Sequence, residues 1–401
     1  MVQAGTLESA ASSAREKVTS DSGSIVTEVK HREVADSHYC QIHLDSNYCH
    51  RRRVGTRCLL LRRPPPARPP AAATDLSTTY AIIPASCYER RPGAVLALVQ
   101  GWLLWLVPVA VLLLTDAAWW SFVPVVLVGL GVAGLFVLGH DASHGALFES
   151  SAANKATARW CMLPSLHNEA AWDLGHNRIH HGFTTRIGFD FVWHPSTPEE
   201  FAAMSRFHRL RHRLEWSWLG SGAYYFRSVW WEKMMRYTPE GKRGAAYVKD
   251  NRVMFARFAV LVAAMATVGA LQGGVFRALW LVAATADHSF LMFCHVIGWT
   301  VYVHHVDPSV KWWPRRDWNQ FKGQMESTTI LEFPSIIDNL WFHHIFVHTP
   351  HHVDMRIPFH QLPAAARAIE QHYPGIVRHE RWNPGSTSRP PRPASCTTSN
   401  A

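Results

Sequence analysis

The stretch WWSFVPVVLVGLGVAGLFVLGHDASH, Trp119 to His144, decides how this chain is read. From Trp119 to Leu138 it is apolar and long enough for the ~20 residues that cross ~30 Å of hydrocarbon. Directly after that run, His140 and His144 stand four residues apart. On a helix such a pair shares one face, so both rings can point at a common object. A metal ion is the object two imidazoles would share.

Working outward, AVLALVQGWLLWLVPVAVLLL, Ala94 to Leu114, is a second apolar run, separated from the first only by Thr115 to Ala118. So short a link makes a hairpin whose open ends lie on the same side of a membrane. A second pair is expected at Met254–Leu271 and Phe276–Val303, joined by QGGV and interrupted by Asp287, His288 and His295. The expected fold is therefore an all-α membrane protein with four transmembrane helices in two hairpins. The segment between the hairpins is rich in Arg and Lys (Arg206, Arg209, Arg211, Arg213, Lys242 and Arg243 among them), which puts that face and both termini in the cytoplasm.

Composition agrees with this reading. Of 401 residues, 25 are His and 18 Trp, 48% are hydrophobic, and the net charge is +10. The positive charges flank apolar runs and no nucleic-acid recognition motif is present, so the basic balance suits lipid headgroups rather than nucleic acid. Seven scattered cysteines with no CxxC read as reduced thiols. Residues 1–75, with RRPPPARPP near their end, are expected to form an Arg/Pro-rich arm without a packed core, and their start lacks the apolar stretch of a secretory signal. Residues 385–401 read as a second such tail, leaving 76–384 as the membrane domain. His31, His38, His43 and His50 fall in the arm; His208 and His212 read as part of a solvated basic helix; His343 and His344 stay ambiguous.

Two further clusters follow the first: HNRIHH, with His176, His180 and His181, and HTPHH, with His348, His351 and His352. Because two spans separate the second cluster from the third, all three reach the same membrane face. Eight imidazoles are too many for one ion, since a single site wants about four ligands, so two metals are expected.

The set HDASH, HNRIHH and HTPHH, together with the two-hairpin layout, resembles the integral-membrane, histidine-box fatty acid desaturase family, over roughly Ala81 to Pro384. HDxxH followed by Gly, and a third box running into Ile357, Pro358 and Phe359, resemble its methyl-end acyl-lipid branch. The resemblance implies a non-haem di-iron site beneath a cytoplasmic helical cap, with His140, His144, His176, His180, His181, His348, His351 and His352 as ligands. It also implies a ninth ligand at the end of the fourth span, assigned to His305 with His304 as fallback; Asp307-Pro308 should stop the helix there. The second box carries one more residue between its first two histidines than many members do, which puts His176 in question. Asp141 and Asp173 are the acidic residues near enough in sequence to orient the ligands.

Removing hydrogen from an unactivated methylene is beyond any side chain, so the metals must carry that step, with dioxygen as co-substrate. The substrate implied is a fatty acyl chain on lipid, coenzyme A or carrier protein, held in an apolar tunnel to which Trp102, Trp105, Trp172 and Trp193 could contribute if they are not interfacial anchors. No fused redox module is legible, so a separate ferredoxin or cytochrome b5-type donor is expected, an acidic partner suiting the basic face. Hydroxylation, carotenoid ketolation, acetylenation and terminal-alkene-forming decarboxylation start from the same hydrogen abstraction and remain alternatives. A metal transporter is a rival of another class, but it would need ligands near the bilayer midplane, and these clusters lie outside the apolar runs.

Overall fold

The computed structural model describes residues 75–196, 198–306 and 310–382. The expected arm up to residue 74, the tail from 385 and the Asp307-Pro308 helix stop lie outside the described residues. Asp75, placed at the end of the arm, is the N-cap of the first helix, accepting from Ser77 N–H at 3.1 Å.

In chain order the helices are α1 (Leu76–Ile82), α2 (Gly93–Leu114), α3 (Phe122–Ser143), α4 (Ser151–Cys161) and α5 (Glu169–Trp172), the last continued by a wider π-type turn over Asp173–His180. There follow α6 (Pro198–Ala203), α7 (Arg206–Glu215), α8 (Ser221–Tyr224, continued over Tyr225–Met235), α9 (Gly241–Val282) and α10 (His288–His305). The last are α11 (Ser335–Ile337), α12 (His348–Val353) and α13 (Leu362–His372). Two short parallel strands, β1 (Thr329–Glu332) and β2 (Arg378–Arg381), pair in the register Thr329 to Arg378.

Three helical segments are long and apolar enough to cross a membrane: Gly93–Leu114, Trp119–Ser143 and Gly244–His305. The third is 62 residues long because it contains two arms. Gly273 and Gly274 break the helix, Gly274 at φ +73°, a left-handed conformation that only glycine adopts without strain. Beyond the break the chain doubles back, so that a Cβ on Gly269 would lie 2.6 Å from the Cα of Ala278. The first of these arms begins at Gly241, well before the expected Met254, because Tyr247 and Met254 are buried and prolong the apolar face.

The tips of the two hairpins are tied together. Arg277, a charge overlooked inside the fourth apolar run, donates to the carbonyls of Leu112 (2.6 Å) and Thr115 (2.7 Å), while Gln272 donates to Leu113 O at 2.8 Å. These carbonyls belong to the last turn of α2 and the residue after it, where helix acceptors lack intrahelical partners and a cation also suits the dipole. Arg277 further lies 4.9 Å over the Trp280 ring. With both tips at one end, the opposite ends of α3 and α10, which carry His140 and His305, converge at the other.

Close approach of small residues sets the spacing between arms. A side chain at Gly131 of α3 would meet the Cα of Trp105 at 2.8 Å and Leu104 O at 2.9 Å, so α2 and α3 touch backbone to backbone. Helix α7 is the exposed basic helix expected around His208 and His212, and it also exposes Phe207, Leu210 and Leu214 along one face between its arginines. Cys87, Cys161 and Cys294 are buried and unbridged.

Gly131→Val is expected to lower stability by roughly 1–3 kcal/mol, the usual cost of overpacking. Gly93→Ala, whose new methyl meets nothing within 4 Å, should leave the detergent-solubilised melting temperature unchanged or slightly raised. Equal melting temperatures for the two variants would contradict the α2–α3 contact.

Candidate metal centre

Four elements deliver the nine histidines. Helix α3 carries His140 in its last turn and ends with His144 as its C-cap. His176, His180 and His181 ride on the π-type turn, in which His181 N–H donates to His176 O at 3.0 Å. Closing the backbone from i to i+5 brings His181 over His176, which an α-helix would not do. The extra residue of the second cluster is absorbed here, and His176 stays with its companions. Helix α12 presents His348, His351 and His352, and the final turn of α10 presents His305.

The structure gathers all nine into two groups, each with its ligand atoms within 4.8 Å of one another: His140, His144, His176, His181 and His351 in one, and His180, His305, His348 and His352 in the other. His304 belongs to neither. It stacks on His348 with ring centroids 3.8 Å apart, and its Nε2 has no hydrogen-bond partner among the described residues. His295 sits against Trp218, and His344 pairs with Asp338 at 2.7 Å, so neither joins the groups.

Behind the rings stand acceptors that fix their tautomers. Asp141 Oδ1 meets His140 Nδ1 at 3.2 Å while its other oxygen accepts from Phe359 N–H. Both oxygens of Asp190 meet His180 Nδ1 at 3.1 Å, and Asp190 also accepts from the N–H groups of Thr185 and Val192. His305 Nδ1 faces the Ser327 carbonyl at 3.3 Å, and His352 Nδ1 faces Gln324 Oε1 at 2.9 Å. With the proton held on Nδ1, each Nε2 is left with a bare lone pair. Two of these, on His305 and His352, face His348 Nε2 at 2.9 and 3.0 Å, while His348 Nδ1 has no partner among the described residues. His351 Nε2 and both ring nitrogens of His181 are buried without a partner. Lone pairs at hydrogen-bond distance, and orphaned buried nitrogens, fit a bound cation.

Of the two expected orienting carboxylates, Asp141 is in contact with a histidine and Asp173 is not. Asp173 lies toward the surface and pairs with Arg178 at 2.8 Å, because its place at the start of the π-type turn points it away from the groups. The carboxylate behind the second group is Asp190, which the sequence reading missed, as it missed Gln324, Thr184 and Ser327.

Burial, and then the neighbouring imidazoles, hold His144, His176, His181, His348, His351 and His352 well below the ordinary imidazole range, so they are neutral at pH 7. Burial alone would raise Asp190, but His180 and the Thr185 N–H outweigh it and keep the carboxylate ionised. An apolar cavity runs up to the histidines, lined by Phe136, Val137, Tyr225, Val229, Ile297 and Val301 among others. Trp172 lines it and stacks on His176 at 4.3 Å. Trp193 is buried against Tyr224 instead, and Trp102 and Trp105 pack edge to face on the α2 side. Lys233 brings a charge to the wall, donating to Phe191 O, its amine pushed down to about 8 by burial.

Comparison with known proteins bears on this geometry. The family model described as fatty acid desaturase matches residues 117–383. An sn-1 oleoyl-lipid 12-desaturase of Anabaena variabilis is 27% identical over 314 residues, covering 74% of this chain and 82% of the relative. A protein of the same description from Picosynechococcus sp. is 28% identical over 307 residues, covering 73% of this chain and 81% of the relative. A chloroplastic omega-6 fatty acid desaturase of Brassica napus is 28% identical over 269 residues, 64% of this chain, and the match spans 55% of that longer relative.

The neutral imidazoles predict a direction for stability against pH. Their folded values lie below the unfolded value of about 6.5, so the unfolded chain binds more protons in acid. The metal-free protein should hold its full stability above about pH 6.5 and lose it progressively as pH falls from there towards 5. Thermal unfolding in detergent across pH 5–8 measures this; a flat profile would mean that water reaches the rings.

Proposed function

The chain belongs to the fatty acid desaturase family, and we propose that it introduces a double bond into a lipid-linked fatty acyl chain at a centre of two iron ions. The observation that carries this reading is the pair of buried histidine groups, five and four side chains, set at the end of an apolar cavity. In this proposal the first iron is held by His140, His144, His176, His181 and His351, and the second by His180, His305, His348 and His352. The four apolar arms are transmembrane helices in two hairpins, and the histidine end, with both termini, faces the cytoplasm beneath a helical cap; the basic residues between the hairpins support this side. The names of the relatives support an oleoyl chain desaturated at carbon 12 as the substrate.

Bound iron would supply the activation of dioxygen that hydrogen removal from an unactivated methylene requires. The chain's own residues do the rest. Phe136, Val137, Ile297 and Val301 offer the acyl chain an environment without hydrogen-bonding groups, so position along the cavity decides which carbons reach the histidines. Thr300, also in the wall, spends its hydroxyl on Val296 O at 2.9 Å and so adds no free donor of its own to the cavity. Asp141 and Asp190 hold two of the imidazoles by their Nδ1–H groups and keep them in one orientation. Trp172 fixes His176 by stacking. The balance is one acyl chain, one O2, two electrons and two protons giving one alkene and two waters, which requires an electron donor outside this chain.

Expression in a host of defined lipid composition, followed by gas chromatography, tests the reading: a dienoic acyl product at the expense of oleate is expected. A hydroxylated or acetylenic product would move the reaction to another outcome of the same abstraction. Active protein should contain two iron ions per chain by elemental analysis, and a single zinc without iron would sink the proposal. His351→Ala should abolish turnover with membrane insertion intact.

Two further substitutions discriminate within the site. His305→Ala should lose iron and activity, whereas His304→Ala, which removes only a stacking partner, should retain most of both. Asp190→Asn is expected to weaken iron retention against a chelator by about 10–100-fold, and Asp173→Asn to leave it unchanged.

A further inference from the structure

We propose that the loop Lys311–Lys322, with Arg186 beside it, is the docking surface for an acidic one-electron carrier protein, and that Trp313 is where the electron enters. This rests on the desaturase reading, which needs two electrons per double bond from outside the chain.

The loop reads KWWPRRDWNQFK. Lys311, Arg315 and Arg316 are exposed, and Lys322 and Arg186 are partly so. Against these five cations stand Asp317 and Glu326, the latter 3.5 Å from Lys311, a local excess of three positive charges (five minus two) among the described residues. The aromatic rings are set among the cations: Trp313 has Lys311 at 5.3 Å and Lys322 at 4.6 Å, and Arg186 lies over Phe189 at 4.1 Å and Trp318 at 5.4 Å. A basic patch with a central half-buried aromatic suits a protein surface of opposite charge.

What separates this patch from other basic surfaces is its wiring. The Trp313 indole N–H donates to Ser327 Oγ at 2.9 Å, and the Ser327 carbonyl faces His305 Nδ1 at 3.3 Å. The neighbouring Trp312 indole donates to the His305 carbonyl at 3.1 Å. From its backbone, Trp313 donates to Thr185 O at 3.0 Å, and Thr185 N–H donates to Asp190, which holds His180. One partly exposed side chain is thus linked by short hydrogen-bonded routes to two histidines of the second group. A lipid surface has no use for such links, and the protruding apolar side chains suited to a bilayer, Phe207, Leu210 and Leu214, are on α7. Each docking passes one electron from the reduced carrier to the centre and leaves the carrier oxidised. Two electrons, two protons and the two hydrogens lost by the acyl chain reduce one O2 to two waters.

The test uses the full, iron-loaded chain in lipid nanodiscs, with an acidic [2Fe–2S] ferredoxin and the soluble haem domain of an acidic cytochrome b5 as probes. Lys311→Glu, Arg315→Glu and Lys322→Glu combined should weaken binding of the better probe at least tenfold at low salt, with the difference shrinking as ionic strength rises. Arg206→Glu with Arg209→Glu on α7 should leave that affinity within about twofold. Trp313→Leu should bind within about twofold of the wild type, keep its iron, and accept electrons at least tenfold more slowly in stopped flow, with Trp313→Phe recovering part of the rate. The docking proposal is overturned if neither carrier binds, if charge reversal leaves affinity unchanged, or if it weakens attachment to anionic vesicles and nothing else. Product formation driven by a small-molecule reductant, assayed on the same preparations, separates the two claims: product with charge-independent carrier binding sinks the docking surface alone. Carrier docking and oxidation without any unsaturated product sinks the desaturase reading instead.

Discussion

Buried imidazole nitrogens face one another at 2.9 and 3.0 Å around His348, an arrangement that a shared cation would satisfy. That arrangement governs the structure around them. A single histidine of this kind would be a local oddity, but nine in two groups require helices from distant parts of the chain to end at one place and to stay there. The acceptors behind the rings matter as much as the rings, because a proton allowed onto Nε2 would turn a lone pair into an N–H and change the charge each group could hold. Asp190 is the clearest case, accepting from two backbone N–H groups as well as from His180, so that it cannot rotate away without leaving three donors unpaired.

The apolar arms deliver this convergence by contacts far from the histidines. Arg277 and Gln272 tie the second hairpin's tip to the end of α2, and the absence of a side chain at Gly131 lets α3 lie directly on α2. Fixing the far ends fixes the near ones, since helices are stiff along their length. A charge inside an apolar run would ordinarily argue against a span. Here it marks the turn, where unpaired carbonyls give the guanidinium partners.

These physical differences account for what the sequence revealed. The histidine clusters were legible because residue type and spacing state the chemistry directly, and the apolar runs were legible because length in hydrocarbon is a count. Asp173 was the wrong choice and Asp190 the missed one for a single reason: nearness along the chain was used as a stand-in for nearness in space. Asp190 lies ten residues after His180 on a turn with no periodic pattern, so nothing local marks it. The π-type turn was equally invisible, because an i+5 ladder uses the same residue types as an i+4 one. The doubling at Gly273–Gly274 could be read from QGGV, whereas the earlier start of that arm at Gly241 follows from tertiary burial of Tyr247.

The two proposed traffics of this site, acyl chain and electrons, are kept apart by material. The cavity wall of Phe136, Val137, Ile297 and Val301 offers nothing to an ion or a charged protein surface, while the Lys311–Lys322 loop sets its aromatic rings among exposed cations that suit an acidic surface. The cavity borders α3 and α10, whereas the loop reaches the centre through Ser327 and Asp190, the groups that set the orientation of His305 and His180. On this arrangement the second histidine group is the one through which the carrier acts. A carrier pressing on Trp313 would bear on the residues that orient His305 and His180, and it would do so without opening the apolar side to water.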